Sequence, residues 1–262
     1  MRYIYDNDLH LHSQLSSCSS DPLQTPEAIL EYAKKNGLKK VCLTDHYWDS
    51  AVEGASDWYK PQNYEHVIKS KPLPQTEGID FMFGVETDMD KFMHIGIPKE
   101  RFDDFDFVVI PTTHFHMLGF TIWENITTKE RARMWVAKLD ALYNMDIPFH
   151  KIGIAHLACE LIAPTRDEFD EVLRLISDSD MERVFTKAAA LGVGIEINQD
   201  DMLYLPESSD IYRMFMTAKK CGCKFYMASD SHHPENFINT KAVFERTIDI
   251  LELTEDDKFH IK

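Results

Sequence analysis

The sequence predicts an α/β fold, a barrel of repeated βα units, with an open parallel sheet as the alternative architecture. Three observations carry this expectation. Seven short apolar runs alternate with segments of helical period along the 262 residues. No proline- or glycine-rich linker and no internal repeat divides the chain, so a single domain over 1–262 is expected rather than two small ones. Histidine or a carboxylate follows almost every apolar run, at the ends that a parallel βα barrel gathers at one mouth.

The first strand is expected over 4–11 and runs through Asp8-Leu9-His10-Leu11-His12. In a regular strand alternate side chains share a face, which puts Asp8, His10 and His12 together. Thr25-Pro26-Glu27 opens the first helix. Thr25 suits the cap and proline the first turn, Ala28, Ile29, Tyr32 and Ala33 recur at helical spacing, and Asn36-Gly37 closes it. The second strand, 40–44, leads into Asp45-His46. The stretch 47–78 is the longest irregular segment and carries Trp48, Trp58, Tyr59, Pro61, Pro72 and Pro74. A loop of that length reads either as a lid or substrate wall, or as a plain surface excursion. The third strand, 80–85, ends at Glu86, and the fourth, 107–112, precedes His114 and His116. Thr127-Thr128-Lys129-Glu130 begins a long helix reaching about Asn144. The fifth strand, 151–155, ends at His156, and one or two helices fill 167–191. The sixth, 193–197, carries Glu196 and leads to Asn198, and a helix follows over 208–220. The seventh, 224–228, leads to Asp230, His232 and His233, and the last helix spans 240–251.

Composition narrows the function classes. A hydrophobic fraction of 44% with 11% aromatic residues is that of a globular core and argues against disorder. A formal net charge of -16 argues against broad binding to nucleic acid or anionic lipid. Bound divalent cations would offset part of that charge and give an anionic substrate a local positive target. The opening residues lack the apolar stretch of a signal peptide, and no run reaches the length of a membrane span. Five scattered cysteines read as unpaired thiols of a reducing cytoplasm. Cys221-Gly222-Cys223 has neither redox nor zinc-knuckle spacing and is given no role.

One His-x-His is weak evidence of a metal site. Seven or more metal-competent side chains converging on one barrel mouth are strong evidence. Imidazole mixed with carboxylate suits zinc, iron or manganese rather than calcium. His94 and His150 are read as ordinary structural or surface residues. His114 is preferred to His116 as a ligand, the latter supporting a ligand or belonging to the loop. Asp45 is either a turn residue or a carboxylate that orients a ligating imidazole. Glu196 and Asn198 share one face, where a structural role in the barrel wall is credible. Asp200-Asp201 reads as a solvated loop or helix start, and Arg131, Arg133 and Arg166 as solvated charges before phosphate contacts.

Taken in order, His10-x-His12, Thr44-Asp45-His46, Val85-Glu86, Thr113-His114, Ala155-His156, Glu196-Ile197-Asn198 and Ser229-Asp230-Ser231-His232 resemble the PHP (polymerase and histidinol phosphatase) family. The resemblance runs from Asp8 to about His233. It implies a distorted (βα)7 TIM-like barrel, a cluster of two or three divalent ions (Zn, Fe or Mn), and hydrolysis of phosphate esters. It further implies that His10, His12, Glu86 and Asp230 hold one ion and that Glu86 bridges to a second, completed by His114 and His156. His46 and His232 would hold a third. The remaining ligand of that third site, often His or Asp, falls on Cys18, whose thiolate suits zinc or iron.

The expected chemistry follows from charge. Cations draw negative charge off the phosphate, and a water bridging two of them, deprotonated near neutral pH, attacks phosphorus in line with the leaving oxygen. Asp45, His116 or His233 would supply a proton, and His116 and Asn198 would face the substrate. The expected partner is a small phosphorylated metabolite, with neither nucleic acid nor membrane involved. Related phosphatases carry an arginine shortly after Glu-x-Asn. Here Asn198 is followed by Gln199-Asp200-Asp201-Met202-Leu203-Tyr204, which counts against histidinol phosphate. Two alternatives stand beside this reading. An amidohydrolase-type hydrolase also opens with His-x-His and ends with Asp, but the Thr-Asp-His and Ser-Asp-Ser-His elements favour the phosphoesterase. A non-catalytic PHP module is the other, and retention of nearly every ligand position speaks against it.

Overall fold

Each apolar run forms a strand because its branched and aromatic side chains can be buried on both faces of a parallel sheet. In the computed structural model, which describes residues 1–19, 21–205 and 208–261, the seven runs become seven parallel strands. They are β1 (Asn7–Leu11), β2 (Lys40–Leu43), β3 (Asp80–Glu86), β4 (Phe107–Pro111), β5 (Ile152–Ala155), β6 (Gly194–Asn198) and β7 (Lys224–Ala228). Neighbours in sequence are neighbours in the sheet. β1 and β7 meet at the remaining seam, where the Asp230 N–H donates to His10 O at 2.8 Å and the His12 N–H to Ser231 O at 3.0 Å. Side chains extend that seam: Asn7 Oδ1 accepts from the Met227 N–H at 3.2 Å, and Asp8 Oδ1 from the Ser229 N–H at 2.9 Å. The sheet is therefore a nearly closed (βα)7 barrel and not an open one.

The helices are α1 (Pro26–Asn36), α2 (Tyr64–Val67), α3 (Thr128–Leu142), α4 (Arg166–Leu175), α5 (Asp178–Leu191), α6 (Ser209–Lys220) and α7 (Thr240–Ile250). Thr25 caps α1 by accepting from the Ala28 N–H at 3.2 Å. Thr127 and Glu130 form a reciprocal capping box on α3. The stretch 167–191 resolves into two helices because Ser177 caps a fresh start, accepting from the Asp180 N–H at 3.1 Å. The barrel is distorted on one side. Only the single turn of α2 and a 3-10 segment lie between β2 and β3, and only a 3-10 turn (Lys99–Asp104) between β3 and β4. The 47–78 segment covers that side instead, burying Trp48 and Tyr59.

Strand alternation divides the core. Val108, Ile154, Ile195 and Phe225 pack outward under the helices. Phe107, Val109, Ala155 and Tyr226 fill the lumen with Leu9, Cys42, Met82 and Phe259. The Tyr226 and Phe107 rings fit there because Gly153 has no side chain: a Cβ would lie 2.5 Å from Tyr226 Oη and 2.6 Å from Phe107. Phe259 plugs the floor, its N–H bonded to Phe225 O at 2.8 Å. A dry, filled floor leaves polar chemistry to the opposite end.

β1 breaks the expected alternation. It pairs Asp8 with Val41 and Leu11 with Leu43, so one extra residue opposes β2 between them. Leu9 then faces the lumen while Leu11 packs outward. Asp8 lies on the side of α1, where Oδ2 accepts from Tyr32 OH at 2.8 Å. It does not share a face with His10 and His12; the bulge resets the phase between them. β1 also starts later than expected, at Asn7 rather than at 4, and the Ile4 N–H donates to Glu255 Oε1 at 2.6 Å instead of joining a strand ladder. Among the described residues no helix is long and apolar enough to cross a membrane, and all five cysteines are free.

Candidate metal centre

The strand ends bring His10 from β1, Glu86 from β3, and His12 with the residues just beyond β2, β4, β5 and β7 to one point. Glu86 lies at its middle. Its Oε1 is 3.5 Å from both His10 Nε2 and His156 Nε2. Its Oε2 is 3.4 Å from His12 Nε2 and 2.7 Å from His46 Nδ1. Asp230 Oδ1 lies 3.4 Å from His10 Nε2 and 3.1 Å from His12 Nε2, and its Oδ2 3.4 Å from His156 Nε2. Four groups of three have all their donor atoms within 4.8 Å of one another: His10-His12-Glu86, His10-His156-Asp230, Glu86-His114-His156 and His12-His46-His232. The His232 ring stacks on His12 with centroids 4.1 Å apart. His156 and Asp230 take left-handed backbone conformations, at φ 61° and 51°. That conformation costs a non-glycine residue about 1–3 kcal/mol, and such strain gathers where a side chain must be aimed.

These residues fit a bound metal. Both oxygens of Glu86, Asp230 Oδ1 and His46 Nδ1 are buried without a hydrogen-bond partner. Bare buried carboxylate oxygens are strongly disfavoured unless something positive meets them. Imidazole and carboxylate lone pairs converging on shared points suit a divalent transition ion. The electrostatics agree. Burial alone would lower the His10 imidazole, but Glu196, Asp230 and Glu86 outweigh it and hold it up at about 10. Burial would raise both carboxyls, yet His46 and His10 bring Glu86 well below the usual range, and His10 and His156 do the same for Asp230. Burial, with His232 and His46 nearby, pushes His12 down. The site demands positive charge at its centre.

A supporting layer aims the imidazoles. His10 Nδ1 lies 2.7 Å from Glu196 Oε2, which also accepts from Tyr226 OH at 3.1 Å. A proton on Nδ1 turns the Nε2 lone pair toward the centre. His12 Nδ1 is 2.8 Å from Ser16 Oγ, which donates to Asp45 Oδ1 at 2.7 Å. His114 Nδ1 is 3.1 Å from Asp88 Oδ2, which accepts from Tyr59 OH at 2.7 Å. Sequence reasoning missed Asp88, Ser16 and Tyr59. Asp88 had a readable signal, since Glu86-Thr87-Asp88 continues the alternation of β3. The other two arrive from loops whose path no local pattern records.

Two expected catalytic residues are corrected by their surroundings. Asp45 accepts three hydrogen bonds, from the Ser13 N–H, Ser13 Oγ and Ser16 Oγ, and does not line the cavity above the cluster. It positions His12 through Ser16 and is not placed to protonate a leaving group. His233 is also outside that cavity, its side chain 41% exposed and turned toward Asp21. The cavity itself measures about 400 Å³ and is walled by Trp58, Tyr59, Met117 and Leu161. The 47–78 segment thus supplies a wall. His116 lies at its rim with its ring 5.5 Å from His114, and burial together with His114 pushes it down to about 4. Cys18 also lines it. Burial would raise that thiol, but His232 and His46 beside it bring it down to about 7. Cys18 belongs to none of the four convergent groups.

Other expectations resolve as follows. Asn198 is buried, donating to Glu196 Oε1 at 3.1 Å and accepting from the Asp200 N–H at 2.9 Å; it borders a neighbouring cavity. The Arg131 guanidinium is buried and spent on Phe115 O and Ile162 O, so it is neither a solvated charge nor a phosphate contact. Asp201, expected in a solvated loop, is only 5% exposed because the turn after β6 folds inward over it. No lysine or arginine among the described residues lines the main cavity.

Fold and site together define a βα-barrel protein with a cluster of side chains that could hold metal ions at the carboxyl ends of its strands. The PHP domain profile matches residues 8–259, and the chain belongs to that family. In fold it is similar to the histidinol phosphate phosphatase of Lactococcus lactis subsp. lactis Il1403, solved in complex with zinc, L-histidinol and phosphate. That similarity has a TM-score of 0.58 and 18% sequence identity, covering 92% of this chain and 93% of the other. No curated protein matches the chain in sequence.

Proposed function

We propose that the protein is a metal-dependent phosphoesterase acting on a small phosphorylated metabolite. The observation that carries this reading is the Glu86 carboxylate, buried and bare, at the meeting point of four imidazoles in a PHP barrel. His10, His12, Glu86 and Asp230 would hold one ion, Glu86 with His114 and His156 a second, and His46 with His232 a third, with the Cys18 thiol beside it. Two of the four convergent groups, His10-His12-Glu86 and Glu86-His114-His156, support this division, while the other two share His12 and His156 between neighbouring sites. Bound zinc, iron or manganese would offset the charge of the phosphate oxygens and lower the pKa of a water.

The chain's own residues do the rest. Glu196, Asp88 and the Ser16–Asp45 pair hold the imidazoles in one tautomer and direction. Trp58, Tyr59, Met117 and Leu161 exclude water around the alcohol portion of the ester. His116, neutral at the rim, offers an N–H to a phosphate or leaving oxygen. With no lysine or arginine lining the cavity, recognition of the phosphate falls to the metal cluster.

A colorimetric screen of phosphate esters, run beside cyclic amides and deaminase-type substrates with Zn, Fe or Mn supplied, tests the reaction class. Phosphate release is expected, with no amide opening or deamination. His10→Ala and Asp230→Ala are each expected to lose about 1,000-fold in kcat/KM, about 4 kcal/mol, and to bind fewer ions. Folded variants that keep their metal and cleave like wild type would sink the assignment.

A further inference from the structure

A second cavity of about 410 Å³ opens beside the first and shares His156, Leu161 and Asp230 with it. Asp201 lines this cavity although it is only 5% exposed, and its carboxyl makes no hydrogen bond or ion pair among the described residues. The turn that carries it is firmly held. Met202 is fully buried, its carbonyl accepts from Arg246 Nη2 at 3.1 Å, and Asn198 Oδ1 accepts from the Asp200 N–H at 2.9 Å. A carboxyl kept without a partner in a cavity wall is more easily held as the neutral acid than as the anion. Burial raises Asp201 to about 8 against the pull of His156, and Glu196, Asp200 and Asp230 add to the rise.

The other groups around the two cavities are less suited to giving up a proton. His116, pushed down to about 4, is a neutral imidazole whose N–H donates a hydrogen bond but is too weakly acidic to transfer. Tyr59 spends its hydroxyl on Asp88 Oδ2, and Glu160 holds the Tyr204 phenol above its usual range. Glu160 and Asp200 are exposed, and Glu160 Oε1 lies 3.5 Å from Arg166 Nη1. Cys18 borders the main cavity alone, beside His46 and His232. An acid buried in an apolar setting at the edge of a reaction centre is the arrangement that general-acid catalysis needs at neutral pH.

We propose that Asp201 is the general acid of the reaction, giving its proton to the ester oxygen that leaves phosphorus at the edge shared by the two cavities. A hydroxide adds its oxygen to phosphorus while the bond from phosphorus to the ester oxygen breaks. The bonding pair stays on that oxygen and takes the Asp201 proton, so a neutral alcohol departs. The proton that water lost in forming the hydroxide returns through solvent to the Asp201 carboxylate, and the cycle closes without a further reactant. The assignment rests on the phosphoesterase reading.

Benzyl phosphate and 4-nitrophenyl phosphate present rings of similar size, but the nitrophenolate leaves unaided whereas the benzyl alkoxide needs a proton. Phosphate release from both is measured with the zinc-loaded full chain, wild type and carrying Asp201→Asn. The variant is expected to lose about 100-fold or more in kcat on benzyl phosphate and less than about threefold on 4-nitrophenyl phosphate, with KM little changed. A merely structural role for Asp201 would lower both esters together. Equal losses, or none, overturn the assignment while leaving the phosphoesterase reading in place. Wild type that cleaves neither ester overturns both. A second measurement needs no variant and so survives a failure of Asp201→Asn to fold. Across 4-nitrophenyl, phenyl and benzyl phosphate, the wild-type kcat/KM is expected to change little, because the transferred proton cancels the charge on the leaving oxygen. A steep fall as the leaving oxygen becomes more basic overturns the proposal.

Discussion

Asp88 sits one step behind a histidine, and its replacement separates aiming from ligation. Its Oδ2 receives both His114 and Tyr59, while Oδ1 is buried without a hydrogen-bond partner. Asp88→Asn keeps the shape and removes the charge that fixes the His114 tautomer. Losing such a support typically weakens metal binding by about 10–100-fold. One class of zinc site in a titration is therefore expected to weaken by that factor while the others hold; uniform weakening of all sites, or none, would refute the role. Residues of this kind mark the limit of what the sequence discloses. His10, His12, Glu86, His114, His156 and Asp230 were legible because each stands at or just past the end of an apolar run. His233 was misread because adjacency to a ligand along the chain does not say which way a turn throws the next side chain; for Asp45 the reading as a carboxylate that orients an imidazole agrees with its bond to Ser16, and the reading as a proton source does not. Asp201 was misread because an Asp-Asp pair looks solvated until Met202 is seen to pull the turn inward.

Among the elements, the strands and helix caps were legible from local pattern, and their ends moved by only a few residues. Thr25, Thr127 and Ser208 each cap the helix expected after them. The bulge in β1 was not legible, because an extra residue shifts the phase without altering composition, and only pairing with β2 exposes it. The filling of the lumen is likewise a matter of facing strands. Gly153 is one position where that filling can be tested. Gly153→Ala drives a methyl into Tyr226 and Phe107, both buried and backed by Phe259. Overpacking of this kind costs about 1–3 kcal/mol, and urea unfolding is expected to show a midpoint lowered accordingly. An unchanged midpoint would mean that the rings are looser than their spacing indicates.

For the molecule as a whole, two surpluses of negative charge matter: the formal -16 of the chain and the carboxylates buried at the mouth. Ions held there would bind the folded state and not the unfolded one, and so would stabilise it by mass action. Free zinc at 100 times its dissociation constant contributes about 2.7 kcal/mol per site. Chelation is expected to lower Tm by several degrees, and added zinc to restore it in a concentration-dependent way. A Tm indifferent to chelator and zinc would speak against a resident metal. The left-handed backbone at His156 and Asp230 has a consequence for anyone who alters this protein. At both positions glycine would relax the chain and remove a side chain from the cluster in the same step. A library sorted for heat resistance alone, in the absence of metal, would therefore enrich the very substitutions that silence the barrel. Survivors of such a sort should be assayed for chemistry before they are taken as improvements.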